Sequence, residues 1–163
     1  MDCLPGDMSP QDRDKFSDRW NTYLELSGSP LVRVVGLGRQ AEGAGLRVEL
    51  IALEIREVGA ILYWKAYSSA EQMLGNPVIE VSDEVGGEYA VFSGSAGGGG
   101  YEWKGETNIT PAPQPHAGTL RVTVHWFEAF GHDIPEFAKQ VADLARFGKP
   151  SPVEGPWVFE FAV

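Results

Sequence analysis

The chain has 163 residues, 43% hydrophobic and 11% aromatic, with 23 acidic against 13 basic side chains and a net charge of −10. Such a chain is too apolar to be disordered, and it is long enough for one domain that buries a core without covalent staples. The single cysteine, Cys3, excludes an internal disulfide framework and a four-cysteine zinc site, and the negative charge repels nucleic-acid backbones.

In chain order, the first prediction is a short N-terminal helix. Ser9 and Asp12 read as a capping box with Pro10 at the first helical position, and Phe16, Trp20, Tyr23 and Leu24 follow at helical spacing. Ser27 to Pro30 ends it. The stripe packs on the body of the protein; the alternative is a helix that docks a partner.

From Leu31 the period becomes two. Leu31, Val32, Val34 and Val35 form an apolar run closed by Gly36. Leu46, Val48 and Leu50 alternate with Arg47 and Glu49, and then Ile51, Leu53 and Ile55 alternate in the opposite phase. That slip predicts a bulge or bend near Leu50–Ile51 and a strand that serves two sheets. Ala60 to Tyr67 reads as a strand, and Val78 to Val81 with Glu88 to Phe92 as a hairpin around Ser82 to Gly87. Ser93 to Gly100, SGSAGGGG, is expected to be a mobile loop, Tyr101 to Thr107 a strand, and the prolines at 111, 113 and 115 an extended run over an edge. Leu120, Val122, Val124 and Trp126 alternate with polar neighbours, as do Trp157, Phe159 and Phe161 at the C-terminus.

Between those last strands a second helix is expected over 133–147. Asp133 and Glu136 cap it, Ile134, Phe137, Val141, Leu144 and Ala145 line one face, and Gly148 and Pro150 stop it. The sum is a mainly β protein: an antiparallel two-sheet sandwich with two short helices, divided into a tail and helix over 1–30 and a sandwich over 31–163. A barrel is the second choice.

Several motifs imitate chemistry. Gly36-Leu37-Gly38-Arg39-Gln40-Ala41 matches a dinucleotide fingerprint, but Gly43 and Gly45 would break the helix whose N-terminus must hold the pyrophosphate, so it reads as a turn between strands. Gly97 to Gly100 lacks the lysine and helix of a phosphate loop. His116, His125 and His132 lack metal-ligand spacing, and Asp83, Glu84 and Glu88 lack the pattern of a calcium hand. No catalytic residue, metal or cofactor is assigned. Trp126, Phe127 and Phe130, and Tyr101 and Trp103 beside the glycine run, remain as candidate binding aromatics. Phe127 and Phe130 meet the second helix on one reading and form an exposed patch on the other.

Asp83 to Tyr89 (DEVGGEY), Pro111-Ala112-Pro113, Leu120-Arg121-Val122 and Gly155-Pro156-Trp157-Val158-Phe159 together resemble a bacterial group of immunoglobulin-like sandwich domains of unknown function from Gram-positive surface and anti-sigma-type proteins. The resemblance covers roughly residues 31–163. It implies a fold and no catalytic residues. The chain differs in carrying the helix over 133–147 and in showing neither signal nor anchor, so a cytoplasmic location is expected, or an extracytoplasmic one if the chain is a trimmed fragment.

The function expected from the sequence is a non-enzymatic protein-interaction module whose partner has a basic surface, with no nucleic acid and no membrane involved. The alternatives are a small-ligand or carbohydrate-binding module using Tyr101 and Trp103, and a hydrolase using His132 with Asp133 or Glu128.

Overall fold

The computed structural model describes residues 10–72, 74–129 and 152–163. One helix, α1 (Pro10–Gly28), precedes eight strands: β1 (Leu31–Gly43), β2 (Leu46–Arg56), β3 (Ala60–Ser68), β4 (Leu74–Asp83), β5 (Ala90–Gly99), β6 (Glu102–Thr110), β7 (Thr119–Ala129) and β8 (Val153–Ala162). They form two antiparallel sheets, a large one in the order β1-β2-β3-β6-β5 and a small one in the order β4-β7-β8. At the sides of the sandwich β1 lies against β8, and β4 against β5. The expected helix over 133–147, with Phe130 and His132, lies outside the described residues.

The alternating strands supply the core. Leu46, Val48 and Leu50 of β2, Leu62 and Trp64 of β3, Leu120, Val122 and Val124 of β7, and Trp157, Phe159 and Phe161 of β8 face inward and are buried. At the centre the Phe127 ring stands edge-on to Trp64 and Trp157, with centroids 5.6 and 5.7 Å away. The Trp64 indole N–H donates to Thr107 Oγ1 at 3.2 Å. Gly105 makes room for it, since a Cβ there would lie 2.5 Å from Trp64 Cζ2 and 2.8 Å from the Ser95 carbonyl oxygen.

The phase slip in β2 is a bulge. Leu50 pairs with Trp64 and Ala52 with Tyr63, leaving Ile51 out of register, so Leu46–Leu50 and Leu53–Ile55 all keep their apolar side chains inward. The bulge does not carry β2 into the second sheet, contrary to expectation: the strand pairs with β1 and β3 along its length. The turn expected at Gly36 lies instead at Ala44 (φ 49°) and Gly45 (φ 75°), a two-residue loop closing a β1–β2 hairpin. Gly38 (φ 57°) sits within β1, in a register shift between Gly36 and Arg39. The dinucleotide-like motif is thus part of a bulged edge strand.

Three further expectations change. The hairpin around residues 82–87 is a crossing between sheets, with β4 in the small sheet and β5 in the large one. Asp83 organises it without a ladder: Oδ1 accepts the Val85 and Gly87 N–H groups at 3.0 and 2.8 Å, and Oδ2 accepts the Tyr89 hydroxyl at 2.6 Å. The glycine run is not a loop but β5, because pairing with β6 uses only backbone groups and Gly97, Gly98 and Gly99 align with Lys104, Trp103 and Glu102. The proline segment bridges the two sheets, from the end of β6 to the start of β7, with Ala117 fully buried.

Helix α1 meets the sandwich by its last turn. Leu26, rather than Leu24, is the fully buried residue, and Gly59 admits it: a Cβ there would lie 2.7 Å from Leu26 Cδ1. Arg56 at the end of β2 anchors the junction by donating from Nη1 to the carbonyl oxygens of Ser27 and Ser29 at 3.0 and 2.6 Å.

Candidate functional site

The candidate aromatics separate on folding. In β7 the pairing shifts at His125, so that Trp126 faces Val78 and Glu154 while Phe127 faces Pro77 and Val153. Trp126 is 41% exposed and Phe127 is 0% exposed. The bulge turns Trp126 out beside His125, whose ring lies 6.1 Å away and whose Nε2 is 3.0 Å from Glu80 Oε2. Phe127 belongs to the core and offers no surface to a partner. At the β5–β6 turn Tyr101 is 61% exposed, but Trp103, two residues on, points inward and is 6% exposed. A paired Tyr101–Trp103 platform does not form: Trp103 sits on the inward face of β6, whereas Tyr101 lies in the turn before that strand, outside its alternation.

The histidines also stand apart. His116 lies in the exposed loop before β7 and His125 on the outer face of the small sheet. Among the described residues no group of three or more His, Cys, Asp or Glu side chains could hold a metal ion. Asp83, considered for calcium, spends its carboxylate on the crossing. Its pKa lies below the ordinary carboxylate value, first through the Tyr89 hydroxyl and then through the Gly87 N–H.

Two surface features were not marked by the sequence reading. The first is an apolar corner. Leu24 in the last turn of α1, Leu31, Val32 and Val34 at the start of β1, and Val58 in the β2–β3 turn are all exposed, and they make up half of the exposed large apolar side chains among the described residues. Three contacts gather them. Leu31 pairs with Arg56, Val34 pairs with Glu54, and the Glu57 N–H donates to the Pro30 carbonyl oxygen at 3.1 Å, which brings the β2–β3 turn to the head of β1. Arg56 and Glu54, the strand partners of Leu31 and Val34, and Glu57 in the β2–β3 turn bring charge beside them. The signal in the sequence was the run Leu31–Val35, four aliphatics around Arg33, which cannot all face a core in one strand.

The second feature is a groove of about 320 Å³ on the outer face of the large sheet, between Ile51 and Tyr63 on one side and the small residues Ser95, Ala96 and Gly97 of β5 on the other. Lys65 and Lys104 stand directly opposite each other there, with Tyr63 opposite Glu106. Tyr63 is fixed by its hydroxyl, which donates to Glu54 Oε2 at 3.1 Å; burial and the Glu54 carboxylate push its pKa up to about 12. Lys65 reaches Glu102 Oε1 at 3.4 Å, and its pKa is raised by that partner. A neighbouring hollow by the β1–β2 turn is capped by Arg47, whose guanidinium covers the Tyr67 ring at 4.4 Å.

No protein-family model matches the chain, and no curated protein matches it. Among solved structures, it is similar to a conserved domain protein from Bacillus anthracis, with a TM-score of 0.54 and 14% identity over 80% of this chain. The match spans 48% of that protein, so the chain corresponds to about half of its structural neighbour. At this identity the likeness is one of fold. Among the described residues no helix is long and apolar enough to cross a membrane.

Proposed function

We propose that the chain is a non-enzymatic, immunoglobulin-like module that binds a partner polypeptide through the apolar corner at the α1–β1 junction. Its strand neighbours favour this type of sandwich: β2-β3-β6-β5 facing β4-β7-β8 is the order of an immunoglobulin constant-type domain, with β1 added outside. The observation that carries the binding reading is the exposure of Leu24, Leu31, Val32, Val34 and Val58 around the α1–β1 junction, with Arg56 and Glu54 paired to Leu31 and Val34. Scattered exposed aliphatics are ordinary, whereas a contiguous group with a polar rim is the anatomy of a protein interface.

Charge selects the occupant. Two copies carrying −10 each repel, so the partner is a different polypeptide with an apolar face and a basic surround, and its association weakens as salt rises. The β1 edge is interrupted by register shifts at Val32 and at Leu37–Gly38, which favours side-chain docking over addition of a long partner strand.

The test is photo-crosslinking of the full chain in cells, with the reactive residue at Val34 or, as a control of similar accessibility, at Val158. A discrete adduct at Val34 that is lost in Leu31→Asp and Val32→Asp, kept in Trp126→Ala and reduced by salt is expected. Equal labelling at both positions, or labelling indifferent to Leu31→Asp, would overturn the assignment. So would a dimer in sedimentation that dissociates in Leu31→Asp, which would make the occupant a second copy.

A further inference from the structure

We infer that the groove on the outer face of the large sheet is a second binding site, for a neutral saccharide. Its shape comes from the sequence of β5. On the outer face Gly97 stands opposite Lys104, so a position that would normally carry a bulky side chain is left as bare backbone. The shift between Ser93 and Ala96 displaces Gly94 and Ser95 from the ladder and deepens the hollow. On the facing side the β2 bulge sets Ile51 out of register and 37% exposed, next to Tyr63. The volume of about 320 Å³ falls at the small end of sites for small molecules, roughly 300–1,000 Å³.

The lining chemistry selects the ligand class. A phenol ring held by Glu54 offers a flat apolar wall with a wet edge, suited to the C–H face of a sugar ring. Lys65, Lys104 and Glu106 present donors and acceptors side by side, the pattern needed to bracket neighbouring hydroxyls. Lysines directly opposite each other are unfavourable in an empty sheet face and gain when hydroxyl oxygens come between them. An anionic ligand is disfavoured: Glu49 pairs beside Lys65, and Glu102 and Glu106 adjoin, so acids outnumber lysines within a chain already at −10.

Gly97 provides a clean test. A Cβ there meets nothing within 4 Å, and its backbone is not in the left-handed region, so Gly97→Leu fills the groove without straining the strand. The experiment is a titration of the ¹⁵N-labelled full chain with neutral gluco-, xylo- and manno-oligosaccharides at millimolar concentration, and with an oligogalacturonate as the anionic comparison. Amide shifts confined to residues 51, 63–65, 94–99 and 104–106 are expected with at least one neutral sugar. Gly97→Leu should weaken that binding by about tenfold or more at unchanged melting temperature, and Lys104→Gln should weaken it less. Silence with every neutral sugar, binding of the galacturonate alone, or binding undiminished in Gly97→Leu would overturn the inference. Leu31→Asp, which disables the apolar corner, should leave the titration unchanged, so the two assignments fail separately.

Discussion

Trp126 and Phe127 are chain neighbours of similar size, and the structure gives them opposite energetic roles. In Phe127→Ala, a ring that is 0% exposed and edge-on to Trp64 and Trp157 is removed from the contact between the sheets. Such a ring withdraws roughly 150–250 Å² from water, which at about 25 cal/mol per Å² is ~4–6 kcal/mol. That is an upper bound, because unfolded chains already bury part of the area. Measured truncations of buried phenylalanine cost about 3–5 kcal/mol, and the rigid indoles on both sides limit collapse into the cavity, so a value of about 4 kcal/mol is expected. For a domain of this size that lowers Tm by about 8–16 °C. Trp126→Ala, at 41% exposure, should cost under about 1 kcal/mol. Urea unfolding followed by far-ultraviolet circular dichroism measures both, with equal m-values as the check on two-state behaviour. If Trp126→Ala proved as damaging as Phe127→Ala, the bulge at His125 would be misplaced and the core assignment wrong.

Other consequences follow from single positions. Ala44→Asn should raise stability by about 1 kcal/mol, because Ala44 pays for φ 49° in a turn that asparagine accepts; a loss of stability would contradict the turn geometry. Gly105→Ala should destabilise by about 1–3 kcal/mol through the contact with Trp64 and the Ser95 carbonyl, and a neutral result in thermal unfolding would count against that packing. Burial and the Asp83 partner push Tyr89 up to about 12, and burial with Glu54 does the same for Tyr63. Both groups stay protonated in the folded chain while the unfolded chain ionises near 10.0, so stability holds below that pH and falls as pH rises toward 12. Tyr89→Phe should remove its share of this alkaline loss, and tyrosinate absorbance showing every tyrosine titrating together near the ordinary value would refute it. Asp83, held low, works in the other direction: its contribution is present above the ordinary carboxylate pKa and is lost as pH falls through its depressed value.

What the sequence disclosed was local. The alternation in β2, β7 and β8 and the slip at Ile51 follow from side-chain period alone, and the inward face of each strand could be read directly. Pairing partners could not. Residues 83–89 carry good hairpin composition, yet Asp83 binds the turn to itself and sends β5 to the other sheet. SGSAGGG has no side chains to signal a strand, and its place in the sheet depends on the backbone of β6, supplied by residues further along the chain. The bulge at His125 escaped notice because Trp126 and Phe127 are both apolar, so a change of phase between them leaves no mark on the pattern.

The same limit explains why both candidate sites were missed. Each depends on a place where alternation stops controlling exposure. At the head of β1, five consecutive residues from Leu31 to Val35 include four aliphatics, and a single strand can turn only every second one inward. Helix α1 does not cover the surplus: it commits Leu26 to the pocket beside Gly59 and leaves Leu24 exposed. In the groove the reverse holds: β5 lacks the side chains that would cover the outer face, so Tyr63, Lys65 and Lys104 have open space beside them. Excess apolar surface at one end of the large sheet and missing bulk at the other are both departures from what a sandwich needs for stability alone. That is the physical ground for assigning contacts with other molecules to this sheet.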